Sequence, residues 1–169
     1  MGVSVVDRIA QLLAQHKAIR DSFVYLEGQI NDLESASHLR VLRKKVDSER
    51  LASGPWPIQL EEDVSKIEDQ LGNHFKIEED ILSECYKIFK DTSLLSSLNR
   101  LRSDHAEIIT RIGDLRIEAA QIASALSDRQ DWIGRAFVLR VHITNTRVLL
   151  ERHAEEEEVI FKGLMARAH

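Results

Sequence analysis

The sequence predicts an all-α protein that folds as one antiparallel, up-down-up-down four-helix bundle over residues 1–169. Apolar residues recur at three- and four-residue spacing over long stretches, and no segment shows strand-like alternation of useful length. Glycine and proline are scarce, with seven and two residues, which favours long helices over turn-rich sheets. Hydrophobic residues make up 43% of the chain, enough for a substantial core in a protein of 169 residues.

Helix one is expected over about residues 4–36, with a possible helical extension over 38–52. The segment "ESASH" between them marks either an end or a bend. "SGPWP" at 53–57 is expected to be a loop, because a glycine and two prolines interrupt the helical pattern. The apolar stripe of helix one consists of Ile9, Leu12, Leu13, His16, Ile19, Phe23, Leu26, Ile30 and Leu33.

The other three helices are expected over about residues 58–89, 94–126 and 131–165. "KDTS" is read as the turn between the second and third helices, with Thr92 or Ser93 as the N-cap. "SDRQD" makes the last connection. Because both connections are short, the helices that they join must run antiparallel.

Composition excludes several classes of function. The net charge of −5 gives no basic surface for nucleic acid, and no apolar stretch approaches the roughly 20 residues of a membrane span. The N-terminal sequence "MGVSVVDRIAQ" is not expected to be a secretory signal. A single cysteine, Cys85, cannot form an internal disulfide, so a reducing cytoplasm is the expected location. Cys85 itself is expected to be a small core residue.

Four histidines are predicted to meet at one level of the bundle. The start of helix one, the end of helix two, the start of helix three and the end of helix four share one end of an antiparallel bundle. Four histidines and two carboxylates lie about 10 to 16 residues from that end, which at 1.5 Å per residue is a slab of roughly 9 Å. These residues are His16, His74, His105, His153, Glu78 and Glu157.

Each of these histidines also lies on the apolar stripe of its helix. Buried imidazoles and carboxylates are costly unless they are paired or coordinated, and nitrogen ligands with carboxylates suit iron or manganese better than structural zinc. Glu157 is preferred to Glu156 because His74 and Glu78 have the same four-residue spacing. His142, eleven residues before His153, is expected to point inward as a hydrogen-bonded polar group that is not a ligand.

The motifs "QHKAIRDSF", "HFKIEED", "SDHAEI" and "RHAEEEEVIF" occur in this order on the four helices. With them the chain resembles the hemerythrin-like (HHE cation-binding) family of non-haem di-iron four-helix bundles over essentially its whole length. The resemblance implies that Glu78 and Glu157 bridge two irons alongside an oxo or hydroxo group, with manganese or zinc as possible substitutes. It implies that the terminal ligands are His16, His74, His105 and His153.

One departure separates the chain from the oxygen carriers of this family. They have a second histidine one turn after the helix-three ligand, where this sequence has Ile109. The set of four histidines and two glutamates is closer to the sensor and iron–sulfur-repair branches. With about six positions per iron, these ligands and one bridging oxygen would fill roughly ten of twelve positions, which leaves two for a small ligand. Asp104 matches a place where that branch often has an acidic residue, and it is a candidate for supporting a ligand from behind.

Apolar residues near the histidines are expected to form the core and to line a dry pocket for small neutral molecules. The pocket candidates are Ile19, Phe23, Ile109, Ile112 and Leu149. The pocket and the open iron positions predict a protein that binds or senses dioxygen, nitric oxide or reactive oxygen species. The alternative is an iron-supply or iron–sulfur-repair protein, or a di-iron enzyme that consumes peroxide or nitric oxide, so whether the protein is an enzyme stays open.

Two further classes are disfavoured. A ferritin-like oxidase or iron store needs Glu-x-x-His, and the residues three positions before the candidate histidines are not acidic. A bundle that has lost its metal and serves only as an interaction module would have lost ligands, and all six are present. The sequence predicts no particular protein partner or redox partner.

Overall fold

The computed structural model describes residues 5–42, 56–124 and 129–167, and within these ranges the chain is almost entirely helical, without strands. Each helix packs along two others, α1 on α2, α2 on α3, α3 on α4 and α4 on α1, which closes a four-helix bundle. The predicted all-α bundle is therefore confirmed. The helices are α1 (Val5–Leu42), α2 (Trp56–Phe89), α3 (Thr92–Ser124) and α4 (Arg129–Arg167).

Buried residues follow one another at alternating steps of three and four, a period of 3.5 residues that is typical of helices wound around each other. In α3 they are Leu94, Leu98, Leu101, His105, Ile108, Ile112, Leu115, Ala119 and Ile122. The same alternation runs through α1 and α2 and most of α4, and the histidines of the predicted level occupy positions within it.

This period corrects the prediction for His142. Its side chain is 48% exposed, and Nδ1 lies 2.7 Å from Glu118 Oε1 on the bundle surface. An eleven-residue spacing keeps two residues on one face only when the period is about 3.67 residues, whereas eleven residues rotate by about 50° past a seam of period 3.5. His142 is therefore partnered, as expected, but it does not point inward.

The helix boundaries differ from the sequence prediction near the predicted loop. Residues 34–38, "ESASH", are helical, and α1 continues to Leu42 without ending there. Trp56 and Pro57 belong to the first turn of α2, where proline is tolerated because the first N–H groups of a helix have no intrahelical acceptor. Outside the described residues lie 43–52 of the expected extension, 53–55 of the expected loop, 125–126 of the expected third helix, 127–128 of the expected last connection, His169 and the side chains of Leu33 and His38.

Asp91, and not Thr92 or Ser93, caps the N-terminus of α3. Its Oδ1 accepts hydrogen bonds from the Ser93 amide (2.9 Å) and the Ser93 hydroxyl (2.6 Å). Arg167, at the end of α4, donates to Asp91 Oδ2 at 2.7 Å, so the same carboxylate ties two helix ends together. The hydrogen bonds from Ser93, followed by the bond from Arg167, lower the pKa of Asp91 to about 2.

The apolar core has two parts. A larger cluster of seventeen buried residues includes Phe23, Leu71, Phe75 and Ile112, and a smaller cluster includes Cys85 and Phe161. Cys85 is a free, buried thiol, which confirms its expected place in the core, and burial raises its pKa. Within the described ranges, no helix has an apolar stretch long enough to cross a membrane.

Candidate metal centre

Six polar side chains of the predicted level are buried in the bundle. Even the most exposed of them, His16, is only 8% accessible, and Glu78 and Glu157 are fully buried. One histidine comes from each helix, and the carboxylates come from α2 and α4. They form two groups of three whose possible ligand atoms lie within 4.8 Å of one another.

The first group, which we call trio one, consists of His16, His74 and Glu157. The Nε2 atoms of His16 and His74 are 3.2 Å apart. Glu157 Oε2 lies 2.8 Å from His16 Nε2 and 3.6 Å from His74 Nε2. Three helices, α1, α2 and α4, therefore aim one donor atom each at a common point.

The second group, trio two, consists of Glu78, His105 and His153 and repeats this arrangement. The Nε2 atoms of His105 and His153 are 3.1 Å apart. Glu78 Oε2 lies 2.9 Å from His105 Nε2 and 3.8 Å from His153 Nε2. Here the donors come from α2, α3 and α4.

Each carboxylate uses one oxygen within its own trio and leaves the other without a partner. Oε1 of Glu78 and Oε1 of Glu157 are both buried and accept no hydrogen bond from the described part of the chain. A buried carboxylate oxygen without a partner is costly. Two nitrogen ligands about 2.1 Å from one metal and at right angles to each other would be about 3.0 Å apart, close to the spacing of the paired Nε2 atoms. The six residues thus fit two metal ions, with a spare oxygen on each glutamate.

Comparison with known proteins agrees with this geometry. Residues 7–165 match the Hemerythrin HHE cation binding domain family. The chain belongs to this family. No significant match was found among curated proteins or among solved structures. Family membership and the two trios together identify a metal-binding protein of the hemerythrin type.

Burial and close contacts act in opposite directions on the pKa values of two residues in the trios. Burial alone would raise the pKa of Glu157, but the hydrogen-bond contact with His16 and the nearby imidazole of His74, 3.6 Å away, outweigh burial and hold this pKa at about 2. Burial alone would lower the pKa of His105, but its bonds to Glu78 and Glu79 raise it. Each trio combines one carboxylate with two imidazoles, so a metal ion bound there would compete with protons for the ring nitrogens.

Two residues that the sequence does not indicate contact Nδ1 of histidines in the trios, on the far side of the ring from Nε2. His74 Nδ1 lies 2.9 Å from Gln15 Oε1, and His105 Nδ1 lies 2.9 Å from Glu79 Oε1. Arg102 Nε donates to the other oxygen of Glu79 at 2.8 Å. Hydrogen bonds of this kind fix the orientation of a ligating imidazole and raise its basicity. The contacts cross between helices, so spacing along one helix carries no signal for them.

The remaining two histidines lack such a hydrogen bond among the described residues. Asp104, predicted as a supporting residue, lies close to trio two, with Oδ2 3.7 Å from His153 Nδ1, which is too long for a hydrogen bond. His16 Nδ1 and His153 Nδ1 are both buried and unpartnered. The supporting contacts of the two trios are therefore different.

A cavity of about 20 Å³ borders the centre between α1 and α4. Roughly 10–15 Å³ is enough for one water molecule, so the cavity has the size of a very small ligand. Of the predicted pocket residues only Ile19 lines it, while Phe23 and Ile112 are buried in the larger apolar cluster and Ile109 and Leu149 pack against that cluster. The lining consists of His16, Ile19, Arg20, His74, Phe75, Arg147, Leu150, Glu151, His153, Ala154 and Glu157.

Proposed function

We propose that this protein holds two iron ions, one in each trio, and uses them to bind or sense a small molecule such as dioxygen, nitric oxide or a reactive oxygen species. In this proposal the four histidines are terminal ligands, and an oxo or hydroxo group joins the two irons. The observation that supports this proposal most directly is the unpartnered Oε1 atom on each buried glutamate, since coordination to the metal of the other trio would give each of these oxygens a partner. Glu78 and Glu157 are accordingly proposed as bridges.

The donor set supports iron in preference to a structural zinc. Both trios consist of imidazole nitrogen and carboxylate oxygen, and the only cysteine, Cys85, lies in the smaller apolar cluster outside them. Manganese or zinc are possible substitutes with the same ligands. Bound iron would supply electrons to the small ligand, a step that a site of this composition allows and that protein side chains alone do not provide.

The residues that line the cavity support the proposal that the ligand is small. Ile19, Phe75 and Leu150 present apolar surface to the cavity beside trio one. Two guanidinium groups also line it, and one of them, Arg147, is held by Glu27 at 3.0 Å and Glu151 at 2.7 Å. A cavity of about 20 Å³ is close to the size that a diatomic molecule needs.

The sensor or repair branch is proposed from the composition of the site. Ile109, which stands where oxygen carriers have a further histidine, packs against the larger apolar cluster and is absent from both trios. This leaves two nitrogen donors per metal, and therefore open positions for chemistry. A cytoplasmic location stays a prediction from the single, buried cysteine.

Metal analysis followed by ligand binding tests the proposal. Protein purified from iron-supplemented cells should contain two irons per chain and show an oxo-to-iron charge-transfer absorption. Reduced protein should then bind nitric oxide with a new absorption band. Repeated turnover of nitric oxide or peroxide with a reductant would favour the alternative, a consuming enzyme. Failure to retain iron at all would contradict both functions.

A further inference from the structure

The two trios differ in the groups behind their histidines. In trio one, His74 Nδ1 meets the neutral amide of Gln15, and His16 Nδ1 has no partner among the described residues. In trio two, His105 Nδ1 meets the carboxylate of Glu79. Asp104 brings a second carboxylate to 3.7 Å from His153 Nδ1. Trio two is therefore supported by anionic groups and trio one by a neutral group.

Other nearby charges increase this difference or offset only part of it. Arg102 pairs with Glu79, but its side chain is 51% exposed, so solvent screens its charge more than that of the less exposed carboxylate. On the side of trio one, Arg20, Arg147 and Glu151 line the cavity, and Glu27 also pairs with Arg147, so two positive charges face two negative ones. The surroundings of trio two are thus the more negative of the two.

We propose that Glu79 makes the two metal positions inequivalent, so that the ion held by trio two is oxidised before the ion held by trio one. This inference rests on the proposed function, since it requires iron in both trios. When Nε2 of His105 ligates the metal, Nδ1 carries the hydrogen and donates it to Glu79. The carboxylate then raises the electron density of the imidazole and stabilises a higher charge on its metal.

The cavity borders trio one, whose ion would stay reduced when the trio-two ion is oxidised. It is lined by all three residues of trio one but, of trio two, only by His153. In the half-oxidised protein, the reduced ion would therefore face the space that admits a ligand. The first step transfers one electron from the trio-two ion to an external one-electron oxidant, for example ferricyanide, which becomes ferrocyanide. No bond forms or breaks, and the Nδ1 hydrogen remains in its hydrogen bond.

Two isosteric substitutions test the inference, one by removing a negative charge behind trio two and the other by adding one behind trio one. Glu79→Gln removes the charge but keeps an oxygen that can accept from His105. We expect the equilibrium constant for the first oxidation to fall at least tenfold, which raises the first midpoint potential by at least 59 mV. Gln15→Glu adds a charge behind His74 and should lower the second midpoint potential instead. Both variants should bring the two potentials of the iron-loaded protein closer together.

A matched control separates this effect from a change in net charge. Glu107→Gln removes a carboxylate that also lies on the surface and pairs with Arg111, and it should leave both potentials unchanged. Iron content is measured for every variant. Two irons with potentials unmoved in Glu79→Gln and Gln15→Glu, or an equal shift in Glu107→Gln, would overturn the inference and leave the proposed function intact. A wild-type protein without two irons would overturn both.

Discussion

Phe75 stacks on His105 with the ring centroids 3.9 Å apart and the ring planes only 8° from parallel. The same phenyl ring meets His74 and His153 edge-on, at 5.9 and 5.6 Å. One apolar side chain of α2 therefore contacts three of the four imidazoles. It also lines the cavity, so it joins the packing of the core to the orientation of the proposed ligands.

Truncation of Phe75 should destabilise the protein even without metal. Phe75 is 4% exposed, and deleting a buried phenyl group typically costs about 3–5 kcal/mol. We therefore expect Phe75→Ala to lower the free energy of unfolding of the chelator-treated protein by about that amount in a denaturant titration. Val159→Ala, at a residue that is 74% exposed, should change it by less than about 0.5 kcal/mol. Equal effects of the two substitutions would refute the structural role of Phe75.

Removal of one proposed ligand from either trio should lower iron content and melting temperature together. His74→Ala tests trio one and His153→Ala tests trio two, because ligand binding free energy adds to folding free energy. His142→Ala is the matched control, since this histidine lies on the surface beside Glu118. Metal analysis and thermal melts of the three variants check the prediction. Full iron occupancy in His74→Ala or His153→Ala would show that the assignment is wrong.

Metal removal should leave the bundle folded. Apart from the trios, the helices are joined by two apolar clusters with Phe23 in one and Phe161 in the other, and both residues are fully buried. Treatment with a chelator should therefore keep the helical circular dichroism at 25 °C while the melting temperature falls, because bound metal stabilises only the folded state. Loss of the helical signal on chelation would mean that metal, and not the apolar clusters, holds the helices together.

A larger side chain in the cavity should weaken ligand binding without loss of metal. Ala154 lines the cavity next to His153, and leucine at this position would fill a volume of about 20 Å³. We expect Ala154→Leu to lower the affinity for nitric oxide or azide at least tenfold, while two irons remain bound. Ala18→Leu is the control, because it makes the same change at an exposed position of α1 that does not line the cavity. Unchanged affinity in Ala154→Leu would exclude this cavity as the ligand site.

The charge of Asp91 should contribute stability that disappears in acid. Its pKa falls from the ordinary value of 3.8 to about 2 in the folded protein, so the contribution is complete above pH 3.8 and is lost as the pH falls towards 2. Asp91→Asn keeps an acceptor for Ser93 but loses the charge that faces Arg167. Melts of the metal-free proteins should show a lower melting temperature for Asp91→Asn at pH 6 and a gap that closes near pH 2. A gap that is independent of pH would contradict this account.

Much of the fold could be predicted because it depends on distance along single helices. Apolar residues at three- and four-residue steps indicate the helices, and the antiparallel order of four long helices brings His16, His74, His105 and His153 to one height. The helical period assumed for α4 gives the wrong side for one residue. The period of a straight helix predicts that His142 points inward. The packed helices bury residues at a period of 3.5, which leaves His142 on the surface.

The details of the site could not be predicted because they depend on how the helices are rotated against each other. Gln15 reaches His74 across 59 residues of sequence, and Glu79 reaches His105 across 26. No spacing within one helix encodes such contacts. The cap of α3 was missed for a similar reason, since Asp91 is held both by Ser93 and by Arg167 from the far end of the chain.

The most direct test of the two-metal centre is a crystal structure of the iron-loaded protein with anomalous diffraction at the iron edge. The account predicts two peaks, one within about 2.0–2.3 Å of Nε2 of both His16 and His74 and the other at the same distance from His105 and His153. A single peak, or peaks outside the two trios, would contradict it.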